Sequence, residues 1–139
     1  MARHCETFDH TADVGLSAWG DTSGELLAAL AEGLSDVICD RARVAPAAVR
    51  ELRVRAEDVE ALAVDFLADV LLAFEVDRFC LAEAEVACDG EGSLSARLWG
   101  ETYDPARHEL KTEVKAVTYH QLKVAREADR WVGRVILDL

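Results

Sequence analysis

The sequence has no apolar run long enough to cross a bilayer. Its strongest apolar stretches, residues 61–64 and 66–74, are broken by Asp65 and Asp69 and end at Glu75, well short of the ~20 residues a spanning helix needs. It opens on MARHCETFDH, which is polar and carries no hydrophobic segment of the secretory kind. CxxC spacing is missing too. Cys5, Cys39, Cys80 and Cys88 stand apart, so reduced, partly buried thiols of a cytoplasmic protein are expected rather than zinc ligands or a disulfide framework. Basic charge is scarce: 15 Lys and Arg against 27 Asp and Glu leave a net charge of −12. That disfavours tight nucleic-acid binding and an anionic membrane surface, both of which need local positive charge. A cation or a basic protein surface suits the chain better. There is no GxxxxGK[ST] loop, no GxSxG elbow and no HExxH pair, which removes support for nucleotide hydrolysis, a serine hydrolase and a zinc hydrolase.

What is present is the composition of a packed protein. The 139 residues are 51% hydrophobic and 30% charged, which predicts one domain over residues 1–139. Residues 5–8 read as a strand leading into the polar turn DHTAD. Val14, Leu16 and Ala18 then alternate with Gly15, Ser17 and Trp19, the period of a second strand. Thr22 and Glu25 have capping-box spacing, and Leu26, Leu30, Leu34 and Ile38 recur every fourth residue, so a helix is expected over 23–38. After a loop with Pro46, Leu52, Val54 and Ala56 alternate with Arg53 and Arg55. Asp58 can cap a second helix, whose broad stripe of Val59, Leu62, Phe66, Leu67, Val70, Leu71 and Phe74 marks it as the expected central packing element.

Everything after residue 74 reads as β structure: 79–88 and 93–100 flanking DGEG, a long run over 111–125, and 131–139. The order predicts an α+β fold with two helices packed on a largely antiparallel sheet, and the lack of regular βαβ alternation argues against a Rossmann-type sheet.

The most polar local cluster is Asp9, His10, Thr11 and Asp13, wedged between two strand signals. Two explanations stand side by side. Asp and Thr side chains bond nearby amides and stabilise corners; alternatively, carboxylates on a rigid loop offer oxygen ligands to a hard cation. The last two residues favour the cation. Asp138 and Leu139 close an apolar strand, putting a side-chain carboxylate beside the free carboxylate of Leu139. Should that strand end meet DHTAD, three carboxylates would converge and repel one another, and Ca²⁺ or Mg²⁺ would relieve them. Elsewhere, His120 follows Tyr119 in an apolar stretch and is expected to be a hydrogen-bonded core histidine. Glu101, Asp104, Arg107, His108 and Lys115 surround Tyr103 and read mostly as a solvated loop, with a docking patch as the alternative.

Four segments, in order, resemble the archease family: FDHTADVGLSAWG, EDVEALAVDFLADVLLAFEVD, GETYDPARHELKTEVKAVTYHQLKV and WVGRVILDL. The resemblance covers essentially the whole chain and implies a fold of strand-helix-strand-strand modules. It also implies a role as accessory protein to an RtcB-type RNA ligase, which joins a 2′,3′-cyclic phosphate or 3′-phosphate end to a 5′-hydroxyl. That ligase first guanylylates its own histidine with GTP and a divalent metal; archeases promote the guanylylation, permit multiple turnover and broaden nucleotide use in tRNA splicing and RNA repair. A non-catalytic, cytoplasmic protein is therefore expected. Carried over by position, the family's metal site falls on Asp13, on Asp138 and on Leu139 through a main-chain oxygen. Ca²⁺ is the expected ion, with Mg²⁺ and Mn²⁺ as alternatives. His10 matches the motif as a positioning residue, while Glu101, Lys115 and His120 match it without an assigned role.

Two rival readings remain at the level of sequence. One is a stand-alone metal-dependent phosphoesterase using Asp9, His10 and Asp13, weakened by the absence of a nucleophile–base pair and of a second-metal ligand set. The other is a general chaperone or binding module whose metal merely ties two segments together.

Overall fold

A computed structural model describes residues 2–10 and 13–139, apart from the side chains of Asp9 and His10. Its elements run β1 (Arg3–His10), β2 (Asp13–Gly20), α1 (Ser23–Ile38), β3 (Ala48–Arg55), α2 (Val59–Asp77), β4 (Phe79–Cys88), β5 (Ser93–Thr102), β6 (Ala116–Val117), β7 (Lys123–Glu127) and β8 (Arg130–Asp138). All the strand pairs are antiparallel. The class is α+β as expected, but the strands form two sheets rather than one. A five-stranded sheet has the order β1-β2-β8-β6, with β7 also on β8; a three-stranded sheet has the order β3-β5-β4.

Helix α1 explains why two sheets are needed. The fourfold spacing of Leu26, Leu30, Leu34 and Ile38 suggests a single apolar stripe, yet Leu27, Ala28, Ala29 and Ala31 are buried as well. A helix whose apolar surface spreads beyond one stripe must be covered on more than one side. One side meets the five-stranded sheet: a Cβ at Gly33 would stand 2.3 Å from the Cys5 sulfur, and one at Gly133 would press on Leu26 and Leu30. Another side meets β4, where the Ser35 hydroxyl donates to the Leu81 carbonyl at 2.7 Å. The central packing element is therefore α1. Helix α2, expected in that place, keeps an outward face on which Asp65, Leu72 and Val76 are exposed.

The starts of both helices follow their caps. Thr22 Oγ1 accepts the Glu25 amide at 3.1 Å, and Asp58 Oδ1 accepts the Ala61 amide at 2.8 Å. Only half of the expected capping box forms, because the Glu25 carboxylate accepts from Arg3 at 3.0 Å instead. The Arg3 guanidinium also reaches Glu32 at 2.9 Å, and Glu32 accepts the Ala84 amide at 3.0 Å. One carboxylate thus joins β1 to α1 and α1 to β4. Burial pushes the Glu32 carboxyl above its ordinary range, against the pull of the Ala84 amide and Arg3.

The run over 111–125 is not a single strand. β6 pairs with residues 137–138 of β8, β7 pairs with residues 130–134, and a turn over 119–122 interrupts the shared edge. Gln121 takes a left-handed φ of 52° in that turn, a conformation that ends strand pairing. The Thr118 amide and hydroxyl both donate to the Ile136 carbonyl, at 3.0 and 2.9 Å, which keeps the broken edge attached.

Candidate metal centre

Asp13 opens β2, and its register partner across the ladder is Asp138 of β8. Cross-strand partners point to the same face of a sheet and stand about 4.5–5.5 Å apart at Cα. Leu16, Ala18 and Gly133 lie on the face turned to α1, so the period of two puts Asp13 and Asp138 on the opposite, outward face. The tail strand does meet the first hairpin. On its other side Asp138 pairs with Ala116, and its carbonyl accepts the Lys115 amide at 2.8 Å. His10 stands opposite Asp13 in the β1–β2 register. Thr11 and Ala12 lie outside the described residues, as do the side chains of Asp9 and His10, so the other members of the polar cluster are not placed further.

The next outward position down β2 is Gly15, opposite Phe8 and Ile136. It is a glycine because the Phe8 ring lies flat across it: an added Cβ would sit 2.0 Å from Phe8 Cζ. The Arg134 guanidinium lies 4.5 Å from the centre of that ring, a cation–π contact. The carboxylate pair is therefore followed along the sheet by an aromatic floor and an arginine. Neither would be read as part of one site from sequence, because Phe8 and Arg134 meet only through the β1–β2–β8 register.

The donor chemistry suits a hard ion. Two carboxylates and the neighbouring main-chain oxygen of Leu139 are all oxygen donors, as Ca²⁺, Mg²⁺ and Mn²⁺ prefer. Among the described residues, no group of three or more His, Cys, Asp or Glu side chains gathers at metal-holding spacing.

A second polar cluster corrects the expectation of a solvated loop after β5. Glu101 accepts the Ala45 amide at 2.8 Å, two Arg107 guanidinium N–H groups at 2.9 and 2.6 Å, and His108 Nε2 at 2.8 Å. The His108 side chain is fully buried. Its Nδ1 accepts the Asp104 amide at 2.9 Å, which leaves the ring proton on Nε2 to be donated to Glu101. The Ala45 amide above all, with His108 and Arg107, draws the Glu101 carboxyl down to about 2 against its desolvation. Glu101 thus ties the buried His108 and the half-exposed Arg107 to the Ala45 amide, which clamps the 103–110 loop onto β5. Lys115 is exposed. His120 is also exposed, in the turn rather than in the core, with its amide donating to Thr118 Oγ1 at 3.2 Å. The four cysteines are free thiols, and among the described residues no helix is long and apolar enough to cross a membrane.

Comparison with known proteins gives a consistent result. The model of the Archease protein family matches residues 5–139. Among individual relatives, protein archease of Pyrococcus abyssi is 36% identical over 138 residues, covering 96% of this chain and 97% of the relative. The archease of Methanopyrus kandleri is 39% identical over 137 residues, covering 96% and 98%. The solution structure of a Methanobacterium thermoautotrophicum protein superposes with a TM-score of 0.81 at 30% identity, over 97% of this chain and 98% of that one. A Thermotoga maritima crystal structure, described as an archease and possible chaperone, superposes with a TM-score of 0.61 at 21% identity over 96% of each chain. That likeness shows the shared fold.

Proposed function

The chain belongs to the archease family, and from that premise we propose that it is a non-catalytic activator of an RtcB-type RNA ligase. In this role it promotes the ligase's guanylylation and multiple turnover in tRNA splicing and RNA repair, in the cytoplasm. The observation that supports the reading is the direct opposition of Asp13 and Asp138 across β2 and β8. Like charges in that position repel, and a divalent cation held by both carboxylates and the Leu139 main-chain oxygen removes the repulsion. Ca²⁺ is the ion we expect, with Mg²⁺ or Mn²⁺ able to take the same donors. When bound beside the ligase, such an ion supplies positive charge to phosphate oxygens.

The residues of this chain would do three things. Asp13 and Asp138 would hold the ion. Lys115 and Ala116 would fix the Asp138 backbone from the far side through the β6 pairing. The net charge of −12 would steer the chain to a basic surface of the ligase, with no tight RNA binding of its own. Guanylylation of a cognate ligase, with and without this chain and across Mg²⁺, Mn²⁺ and Ca²⁺, tests the proposal. Asp13→Asn is expected to abolish the stimulation while circular dichroism stays unchanged; full stimulation by that variant overturns the reading.

The Thermotoga maritima relative described as a possible chaperone favours a second reading, a binding module with a structural ion. On that reading, a chelator lowers the melting temperature and has no effect specific to the ligase.

A further inference from the structure

The inner face of α2 is buried in the expected way, through Leu62, Ala63, Phe66, Leu67, Val70 and Leu71. Its outward surface departs from the pattern. Asp65, Asp69, Leu72 and Val76 follow one another at steps of four, three and four, so they stand in one row along the helix. Leu72 is 53% exposed and Val76 68% exposed, side chains that a surface helix would ordinarily turn inward. Beside them runs a groove of about 320 Å³ between α2 and the three-stranded sheet, lined by Leu52, Asp69, Leu72, Val76, Asp77 and Leu98. The row and the groove are built on the sheet that does not carry the Asp13–Asp138 pair.

The uncompensated charges around this groove are of one sign. Asp77 is engaged by Arg50 at 2.8 Å, and that guanidinium also lies 4.6 Å from the centre of the Phe79 ring. Asp65, Asp69 and Glu75 make no ion pair among the described residues. Burial, and then the charge of Asp65 one turn away, push the Asp69 carboxyl above its ordinary range. Two aspartates on one helix row, drawing no cation from their own chain, beside two exposed aliphatic side chains and a groove, form a surface with both halves of a recognition pattern.

We propose that this row and groove of α2 dock a basic amphipathic helix of a partner protein. Apolar side chains of the incoming helix would seat against Leu72 and Val76, and its Lys or Arg residues, one turn apart, would reach Asp65 and Asp69. Charge complementarity selects this occupant. A second copy of the chain would bring the same acids into opposition under mutual repulsion of two −12 bodies. The inference rests on the ligase reading only for the choice of partner tried first.

Two arms test it. In the first, amide shifts of the labelled full chain are followed while a synthetic Lys/Leu amphipathic helical peptide is added at 0.15 M salt. Shifts centred on residues 65–76 are expected, with affinity at least tenfold lower for Leu72→Glu/Val76→Glu. Both replaced side chains are exposed, and circular dichroism checks that the variant folds. Shifts centred elsewhere, or none, overturn the proposal, as does a wild-type dimer in sedimentation that the double variant splits. In the second arm, a cognate ligase is titrated with wild type, Leu72→Glu/Val76→Glu and Asp13→Asn. The double variant is expected to need at least tenfold more protein for half-maximal stimulation with the plateau kept, whereas Asp13→Asn gives no stimulation at any concentration. A double variant that matches wild type overturns the docking surface and leaves the activator reading intact. A wild type that does not stimulate, while the peptide still binds at α2, overturns the activator reading and leaves the surface.

Discussion

Replacing Asp138 with Asn separates electrostatic repulsion from ion binding, because the two act on stability with opposite signs. Asp138 stands opposite Asp13 in the ladder and is exposed. Two unit charges about 5 Å apart repel by about 1 kcal/mol in water and about 3 kcal/mol at an effective dielectric of 20. The exposure of Asp138, with Asp13 half-buried, puts this pair nearer the lower figure, in line with the up to about 1 kcal/mol for like charges directly opposite in a sheet. In EDTA, Asp138→Asn is therefore expected to be more stable than wild type by about 1 kcal/mol, about 3 °C in melting temperature for a chain of this size. Calcium should invert the order. At a hundredfold excess over its dissociation constant the ion stabilises wild type by about 2.7 kcal/mol, and the variant, short of one carboxylate, should gain far less. Scanning calorimetry of both proteins, in EDTA and along a Ca²⁺ titration, reads both halves. A variant less stable than wild type in EDTA, or equal gains from calcium in the two proteins, refutes the reasoning.

Acid should weaken the loop clamp. The Glu101 carboxyl is drawn from its ordinary range down to about 2 in the folded protein, so its contribution to stability is full above about 4.5 and lost as pH falls toward 2. Urea midpoints measured between pH 6 and 2 should show a steeper acid limb for wild type than for Glu101→Gln; parallel curves would count against the clamp. The β7–β8 turn offers a change in the other direction. Ala128 holds a left-handed φ of 57°, at a cost of about 1–2 kcal/mol for a residue with a Cβ. Ala128→Gly is expected to stabilise by about 0.5 kcal/mol once the looser unfolded chain is counted, and an unchanged or lower urea midpoint would contradict that.

Helix boundaries were legible in the sequence because caps are local. Thr22 and Asp58 name the starts of α1 and α2 through bonds that reach only three residues ahead. The burial of α1 on more than one side was not, since alanine and glycine between the leucines carry no strong hydrophobic signal and matter only once two sheets close on them. His120 was misplaced for a related reason: the apolar residues around it suggested a strand, and the positive φ of Gln121 turns the chain outward there. At the candidate site, the acidic residues could be named from sequence, and their meeting depended on a ladder register that no local pattern encodes. The Phe8–Gly15 contact and the Lys115 amide bond to Asp138 come from that same register. The burial of His108 against Glu101 was likewise invisible, because a string of charged residues in a loop looks the same whether it faces water or itself.

Asp13 and Asp138 come from opposite ends of the numbering and meet only after β2 and β8 have zipped together. A calcium loop of the contiguous kind can chelate as a short peptide; this pair cannot, and neither can any intermediate in which the two strands are still apart. If the proposed ion binds there, its affinity should be a property of the finished native topology alone. A luminescent lanthanide added during refolding would then light up with the last cooperative step, acting as a stopwatch for completion.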